Sequence, residues 1–187
     1  MRITAGRAKG RQLAAFRGLD IRPTSDLVRE AIFDLIGQDF SGAKVLDLFA
    51  GTGILGIEAL SRGASWGLFI DDSAKSIKLI KRNLSRCGMD LSGITLRWDL
   101  TKGLPWKSSL LKQRIDLVFI DPPYRKGLIP PLLQELCDRK ILATPSLVVA
   151  ESSKTEMLPE SVGELQIYKT KTYGETKICI FRREDDE

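Results

Sequence analysis

Apolar residues in this chain recur with two different spacings, and the changes between them mark out the elements. Thr24-Ser25-Asp26 offers side-chain oxygens suited to capping a helix, and Val28, Ala31, Ile32, Leu35 and Ile36 then recur on one face until Gly37. The spacing predicts a helix there, stopped by Gly37. From residue 44 onward, short continuous apolar runs alternate with helical periods. The runs at 44–49, 66–70, 94–98, 115–120 and 147–150 read as five buried strands. Between the second and third, Ile77, Ile80, Leu84 and Cys87 line one helix face that ends at Gly88. Pro130 and Pro131 suit the first turn of a helix carrying Leu132, Leu133 and Leu136. Strands separated by helices predict an α/β fold, with a mostly parallel sheet covered on both faces. The runs 165–172 and 176–181 have no helix between them, so Tyr173-Gly174-Glu175 predicts a hairpin and an antiparallel pair closing the sheet.

The first 24 residues follow neither period. Gly6, Gly10, Gly18 and Pro23 interrupt them, which predicts a short hairpin or extended segment. Arg2, Arg7, Lys9, Arg11, Arg17 and Arg22 face only Asp20 there, so this segment alone carries the whole net charge of +5. A basic arm over 1–24 joined to one electrically neutral domain over 25–187 is the expected organisation. Such an arm is suited to contacting phosphates.

Composition narrows the chemistry. A length of 187 residues, 43% hydrophobic and 28% charged, suits one globular domain. No apolar run approaches the roughly 20 residues that cross a bilayer, and the opening residues lack the apolar core of a secretory signal. A cytoplasmic, monomeric protein without membrane association is expected. Cys87, Cys137 and Cys179 are far apart and there is no histidine, so no metal site is expected. The lack of histidine also removes the commonest general base and the usual activator of Ser or Cys nucleophiles.

The run 45–49 leads directly into Ala50-Gly51-Thr52-Gly53-Ile54-Leu55-Gly56, so Gly51, Gly53 and Gly56 fit G-x-G-x-x-G at a strand-to-helix turn. Asp71 follows Gly51 by 20 residues, at the end of the next strand, where a carboxylate can hold ribose hydroxyls. The layout serves either the pyrophosphate of NAD or the adenosyl group of S-adenosylmethionine. Asp47 favours the second, because it stands where a carboxylate can face the cationic amino group of a methionine moiety. No separate substrate domain is expected after it. Asp99, next to Leu100 after the third strand, can accept a hydrogen bond from an adenine amine. The expected cofactor contacts are Asp47, Phe49, Ala50, Gly51, Thr52, Gly53, Asp71 or Asp72, Asp99 and Leu100.

Asp121-Pro122-Pro123-Tyr124 follows the fourth strand and resembles the motif of methyltransferases that act on base amino groups. In an open sheet of this kind, ligands lie beyond the carboxyl ends of strands, where strand order reverses. The first and fourth strands flank that crevice. An exocyclic amine is conjugated with its ring and is a poor nucleophile. The Asp121 side chain and the Pro122 carbonyl can each accept one amino hydrogen, which turns the nitrogen lone pair toward a methyl donor. The two prolines hold this display rigid, and Tyr124 offers a stacking face. The tetrapeptide suits the amine of guanine or of adenine.

Nearly the whole chain resembles the bacterial small-subunit ribosomal RNA guanine-N2 methyltransferases of the RsmD type. The resemblance is carried by residues 2–6 with 10–13, by 22–33, by 47–53, by Asp121-Pro122-Pro123-Tyr124, and by Tyr173-Gly174-Glu175-Thr176. It implies a Rossmann-like class I methyltransferase with a mostly parallel seven-stranded sheet, order 3-2-1-4-5-7-6, the last strand antiparallel. It also implies S-adenosylmethionine as cofactor, catalysis by the Asp121 tetrapeptide, and a guanine of 16S RNA within the small ribosomal subunit as substrate. Arg7, Lys9 and Arg11 are expected on phosphates, with Arg22, Thr24, Arg29, Arg125 and Lys126 near the mouth of the site. Methylation of adenine N6 in DNA, a non-catalytic RNA-binding assembly factor and an NAD-linked reductase are the alternatives.

Overall fold

The computed structural model describes residues 1–16, 26–124 and 126–184. Its centre is a sheet of β1 (Lys44–Leu48), β2 (Trp66–Asp71), β3 (Gly93–Arg97), β4 (Ile115–Ile120), β5 (Leu142–Ser153), β6 (Ser161–Val162), β7 (Leu165–Tyr173) and β8 (Thr176–Arg183), in the order β3-β2-β1-β4-β5-β8-β7-β6. The first five strands pair in parallel, and β8 runs antiparallel to both β5 and β7. With β6 set aside, this is the expected seven-strand order. The added β6 is a two-residue edge strand on β7, too short to leave a periodic pattern.

The helices are α1 (Asp26–Ile36), α2 (Ile54–Ser61), α3 (Ala74–Arg86) and α4 (Ile129–Asp138). Because alternate residues of a strand point to opposite faces, Val45 joins a core with α1, α2 and α3, while Leu46 and Leu48 join a second core with α4. No helix among the described residues is long and apolar enough to cross a membrane.

β5 extends beyond the apolar run 147–150 at both ends. Its polar end Glu151-Ser152-Ser153 is buried because it lies against β8, with Ser153 opposite Thr176. α3 begins at Ala74, where Ser73 Oγ accepts from the Ser76 amide at 3.3 Å, and Gly88 at φ 66° stands just beyond its end.

Residues 1–13 turn back on themselves. Arg2 and Gln12 form an antiparallel bridge, and the Gly10 amide donates to the Ile3 carbonyl at 2.8 Å. Ile3, Ala8 and Leu13 are buried in the same core as α2. The polar side of this attachment is Glu58, fully buried on α2, which accepts from the Thr4 amide at 3.0 Å, the Thr4 hydroxyl at 2.7 Å and the Ala5 amide at 3.0 Å. The hairpin is docked on α2 rather than projecting from the domain.

Candidate active site

β1 lies between β2 and β4, so the chain leaves its carboxyl end at the point where strand order reverses. Leu48 pairs with both Ile70 and Ile120. The Ala50 amide donates to the Ile70 carbonyl at 3.0 Å, and the Asp121 amide to the Leu48 carbonyl at 3.4 Å. Two loops, one carrying the glycines and the other the Asp-Pro-Pro-Tyr tetrapeptide, therefore open side by side.

The glycine turn is sharp. Phe49, Gly51 and Gly53 have φ of 59°, 55° and 77°. For phenylalanine such a backbone costs roughly 1–3 kcal/mol, and residues of this kind cluster at functional sites. A Cβ on Gly51 would meet nothing nearer than the Phe49 carbonyl oxygen at 3.9 Å, so its outer side is open to a ligand. A Cβ on Gly56 would lie 2.4 Å from the Phe69 ring, which makes Gly56 the residue that lets α2 pack on β2.

Asp71 Oδ2 accepts from the Gly51 amide at 2.8 Å and Oδ1 from the Ser73 amide at 2.9 Å. Each carboxylate oxygen has a second lone-pair direction for a further donor. Asp72 is exposed and does not join this turn. Asp47 lies beneath the turn, 2% exposed, its Oδ2 accepting from the Gly56 amide at 3.0 Å. Burial pushes its carboxyl up to about 8; the Gly56 hydrogen bond opposes this and the Asp71 charge adds to it. A cation arriving here would favour the ionised form.

The Trp98 amide donates to the Asp71 carbonyl at 3.0 Å, which brings the Asp99 segment to the same edge. Asp99 Oδ1 accepts from the Thr101 hydroxyl at 2.6 Å and the Thr101 amide at 3.0 Å, and these bonds hold its carboxyl below the usual range. One oxygen of this acid thus caps the short turn at 100–102, and Leu100 is buried beneath it.

On the β4 side, Pro122 is buried and Pro123 exposed. Tyr124 is half-buried, its hydroxyl donating to Glu151 Oε1 at 3.0 Å and lying 2.8 Å from Thr176 Oγ1. These contacts tie the ring to the ends of β5 and β8. Burial raises the phenol to about 12, so it stays neutral.

Arg7, Lys9 and Arg11 are exposed on the hairpin, and Lys126 is exposed beyond the tetrapeptide. Arg29 corrects the expectation of a cation at the site mouth. It has 0% exposure, pairs with Asp26 at 2.8 Å and Glu58 at 3.7 Å, and donates to the Arg2 carbonyl at 2.8 Å. A guanidinium without surface presents nothing to a phosphate. Arg22, Thr24 and Arg125 lie outside the described residues.

Three polar residues absent from the sequence expectations organise this region. Glu58 holds the hairpin, Glu151 holds Tyr124, and Asn83 joins the hairpin's continuation to the glycine turn. Asn83 accepts from the Ala14 amide at 2.8 Å and donates to the Ala14 carbonyl at 3.0 Å and the Thr52 carbonyl at 2.9 Å. The only local signal for Glu58 and Asn83 is a polar residue at an inward-facing helix position, between Ile57 and Ala59 and before Leu84.

The strand order, with its antiparallel β8, is that of the class I S-adenosylmethionine-dependent methyltransferases. A family model described as Conserved hypothetical protein 95 matches residues 1–182, and the chain belongs to that family, the RsmD-type methyltransferases. YlbH of Bacillus subtilis (strain 168), which carries an rRNA methyltransferase name, is 38% identical over 98% of this chain and 99% of its own. Ribosomal RNA small subunit methyltransferase D of Escherichia coli (strain K12) is 33% identical over 98% of this chain and 90% of its own. The solved structure of yhhF from Escherichia coli superposes with a TM-score of 0.81 at 30% identity, covering 100% of this chain and 99% of that one.

Proposed function

We propose that this chain transfers the methyl group of S-adenosylmethionine to the exocyclic N2 amine of a guanine in 16S ribosomal RNA, within the assembled or assembling small ribosomal subunit. The observation that carries methyl transfer is the adjacency of the two loops, joined through the Asp121 amide and the Leu48 carbonyl. The small-subunit RNA substrate is supported by the name of the Escherichia coli relative. The guanine and its N2 amine come from the RsmD-type resemblance.

The open glycine turn and its carboxylates fit an adenosyl cofactor. The backbone at Phe49, Ala50, Gly51, Thr52 and Gly53 would lie along it. Asp71 would hold the ribose hydroxyls, Asp47 the amino group, and Asp99 with Leu100 the adenine. When bound, S-adenosylmethionine supplies a methyl group on a positively charged sulfur. Asp121 and the Pro122 carbonyl accept the two amino hydrogens of the base, and the prolines keep these acceptors in place. Tyr124, held by Glu151 and Thr176, stacks on the base. Holding the reactants in line contributes roughly 7–11 kcal/mol. The amino proton leaves to Asp121 or to solvent, which needs no histidine. Arg7, Lys9, Arg11 and Lys126 hold phosphates around the site.

The protein incubated with methyl-tritiated cofactor and either small ribosomal subunits or duplex DNA tests this. Label is expected in 16S RNA, recovered after digestion as N2-methylguanosine. Label confined to DNA would replace the reading with adenine-N6 methylation. RNA binding without label would point to an assembly factor.

A further inference from the structure

The exposed side chains of α3 are Ala74, Lys75, Lys78, Lys81, Arg82, Ser85 and Arg86, and the helix contains no acidic residue. Among the described residues no carboxylate is within ion-pair distance of these five cations, whereas Lys102, Lys154, Arg182 and Arg183 are each paired. Like charges three and four positions apart on a helix repel one another and weaken it. A face built this way is stabilised when an anion comes from outside the protein.

The face continues into the hairpin. Gln12, Leu13, Ala14 and Ala15 form an open cleft of about 550 Å³ with Arg82 and Arg86. Asn83, from the same turns of α3, holds Ala14 in place, and Arg11 lies near enough to Cys87 for its charge to oppose the rise that burial gives that thiol. A lipid surface would require large apolar side chains on the outward face, and none of the seven exposed residues is one. Flexible point charges in a row suit repeated phosphates, which are read by charge alone.

We propose that the outward face of α3 is a second contact with the RNA sugar-phosphate backbone, extending the track begun by Arg7, Lys9 and Arg11 along about 16 Å of helix. It rests on the reading of this chain as an RNA methyltransferase. Lys75, Lys78 and Lys81 hold phosphates on the helix, while Arg82 and Arg86 close the cleft behind the hairpin. These five stand outside the glycine turn and the tetrapeptide, on the outward face of α3, so the face contributes affinity and orientation but no chemistry.

The test compares the unsubstituted protein with K75Q/K78Q/K81Q, using binding to small subunits and to protein-free 16S RNA at several salt concentrations. Thermal unfolding and S-adenosylhomocysteine binding monitor the fold and the cofactor turn. The variant is expected to bind S-adenosylhomocysteine and to turn over saturating subunits within about twofold of the unsubstituted protein, while its slope of log affinity against log salt becomes shallower by about 2 on both substrates. An unchanged slope in a folded variant would overturn the proposal and leave the methyltransferase reading standing. A shallower slope on subunits but not on protein-free RNA would also overturn it, because the contact would then be an acidic ribosomal protein. Failure of the unsubstituted protein to bind or label RNA would remove the functional reading, and this proposal with it.

Discussion

Asp47 and Asp121 stand at the ends of neighbouring strands, and each can be removed without touching the other's loop. For Asp47, burial holds the folded-state value near 8, above the 3.8 of an exposed carboxyl. Between these values the folded protein keeps a proton that the unfolded chain releases. Its contribution to stability is therefore complete below about pH 4 and is lost as pH rises toward 8. Asp47→Asn is expected to flatten this decline, so urea midpoints of the two proteins should diverge between pH 5 and 8 by about 1 kcal/mol per pH unit. If a cationic cofactor amine lies against Asp47, binding expels the proton, and S-adenosylhomocysteine affinity measured by calorimetry should rise from pH 6 to 8. For Asp121, loss of a charged acceptor of roughly 1.5–3 kcal/mol predicts a kcat about 10- to 150-fold lower in Asp121→Ala, with S-adenosylhomocysteine affinity unchanged. Tyr124→Phe keeps the ring and Tyr124→Ala removes it. A stacking role of roughly 1–3 kcal/mol predicts that methylation assays show kcat/KM falling mainly in the alanine variant.

Two buried polar side chains decide how the elements meet. Glu58 on α2 serves Thr4, Ala5 and Arg62, and lies beside Arg29. Removing its charge takes the carboxylate partner from buried Arg62 and leaves buried Arg29 with Asp26 alone, and breaking a buried pair typically costs about 3–5 kcal/mol. Glu58→Gln should show that loss in urea unfolding, and hydrogen exchange at Thr4 and Ala5 should accelerate before global unfolding. Asn83 on α3 is fully buried and joins Ala14 to Thr52. Asn83→Ala orphans those backbone groups at roughly 1–3 kcal/mol, and because Thr52 belongs to the glycine turn, S-adenosylhomocysteine binding should weaken about tenfold. An unaltered affinity would show that Thr52 keeps its position without this bond.

For the molecule as a whole, the asymmetry of charge becomes an asymmetry of surface. The hairpin, α1, α2 and α3 pack on one side of the sheet, and this side carries Arg7, Lys9 and Arg11. Replacing these three with alanine should make the slope of log affinity for small subunits against log salt shallower by roughly 2–3, whereas a folded variant with the parent slope would show that the hairpin does not touch RNA. Much of the architecture was legible in the sequence: the parallel core and the closing hairpin of β7 and β8 follow from apolar periods and turn residues, while the reversal at β1 belongs to the strand order that the RsmD-type resemblance implies. At the site, the glycine turn was legible from its G-x-G-x-x-G spacing after a strand, and the tetrapeptide from its resemblance to the motif of methyltransferases that act on base amino groups. Arg29 was not, because a cation looks alike in a sequence whether it ends in water or beside Glu58.

Local chemistry was determined by the amino-acid sequence itself. The period of apolar residues sets helix or strand, Gly51 and Gly53 permit the left-handed turn, and Pro122 and Pro123 fix the backbone after β4, all within a few residues. Tertiary structure alone decided which of two adjacent carboxylates supports the glycine turn, which arginine is buried, and how far β5 extends. Each of these depends on a partner far along the chain: Gly51 for Asp71, Glu58 for Arg29, and β8 for Glu151-Ser152-Ser153. A buried polar group is stable only where such a partner meets it, and folding brings that partner into place.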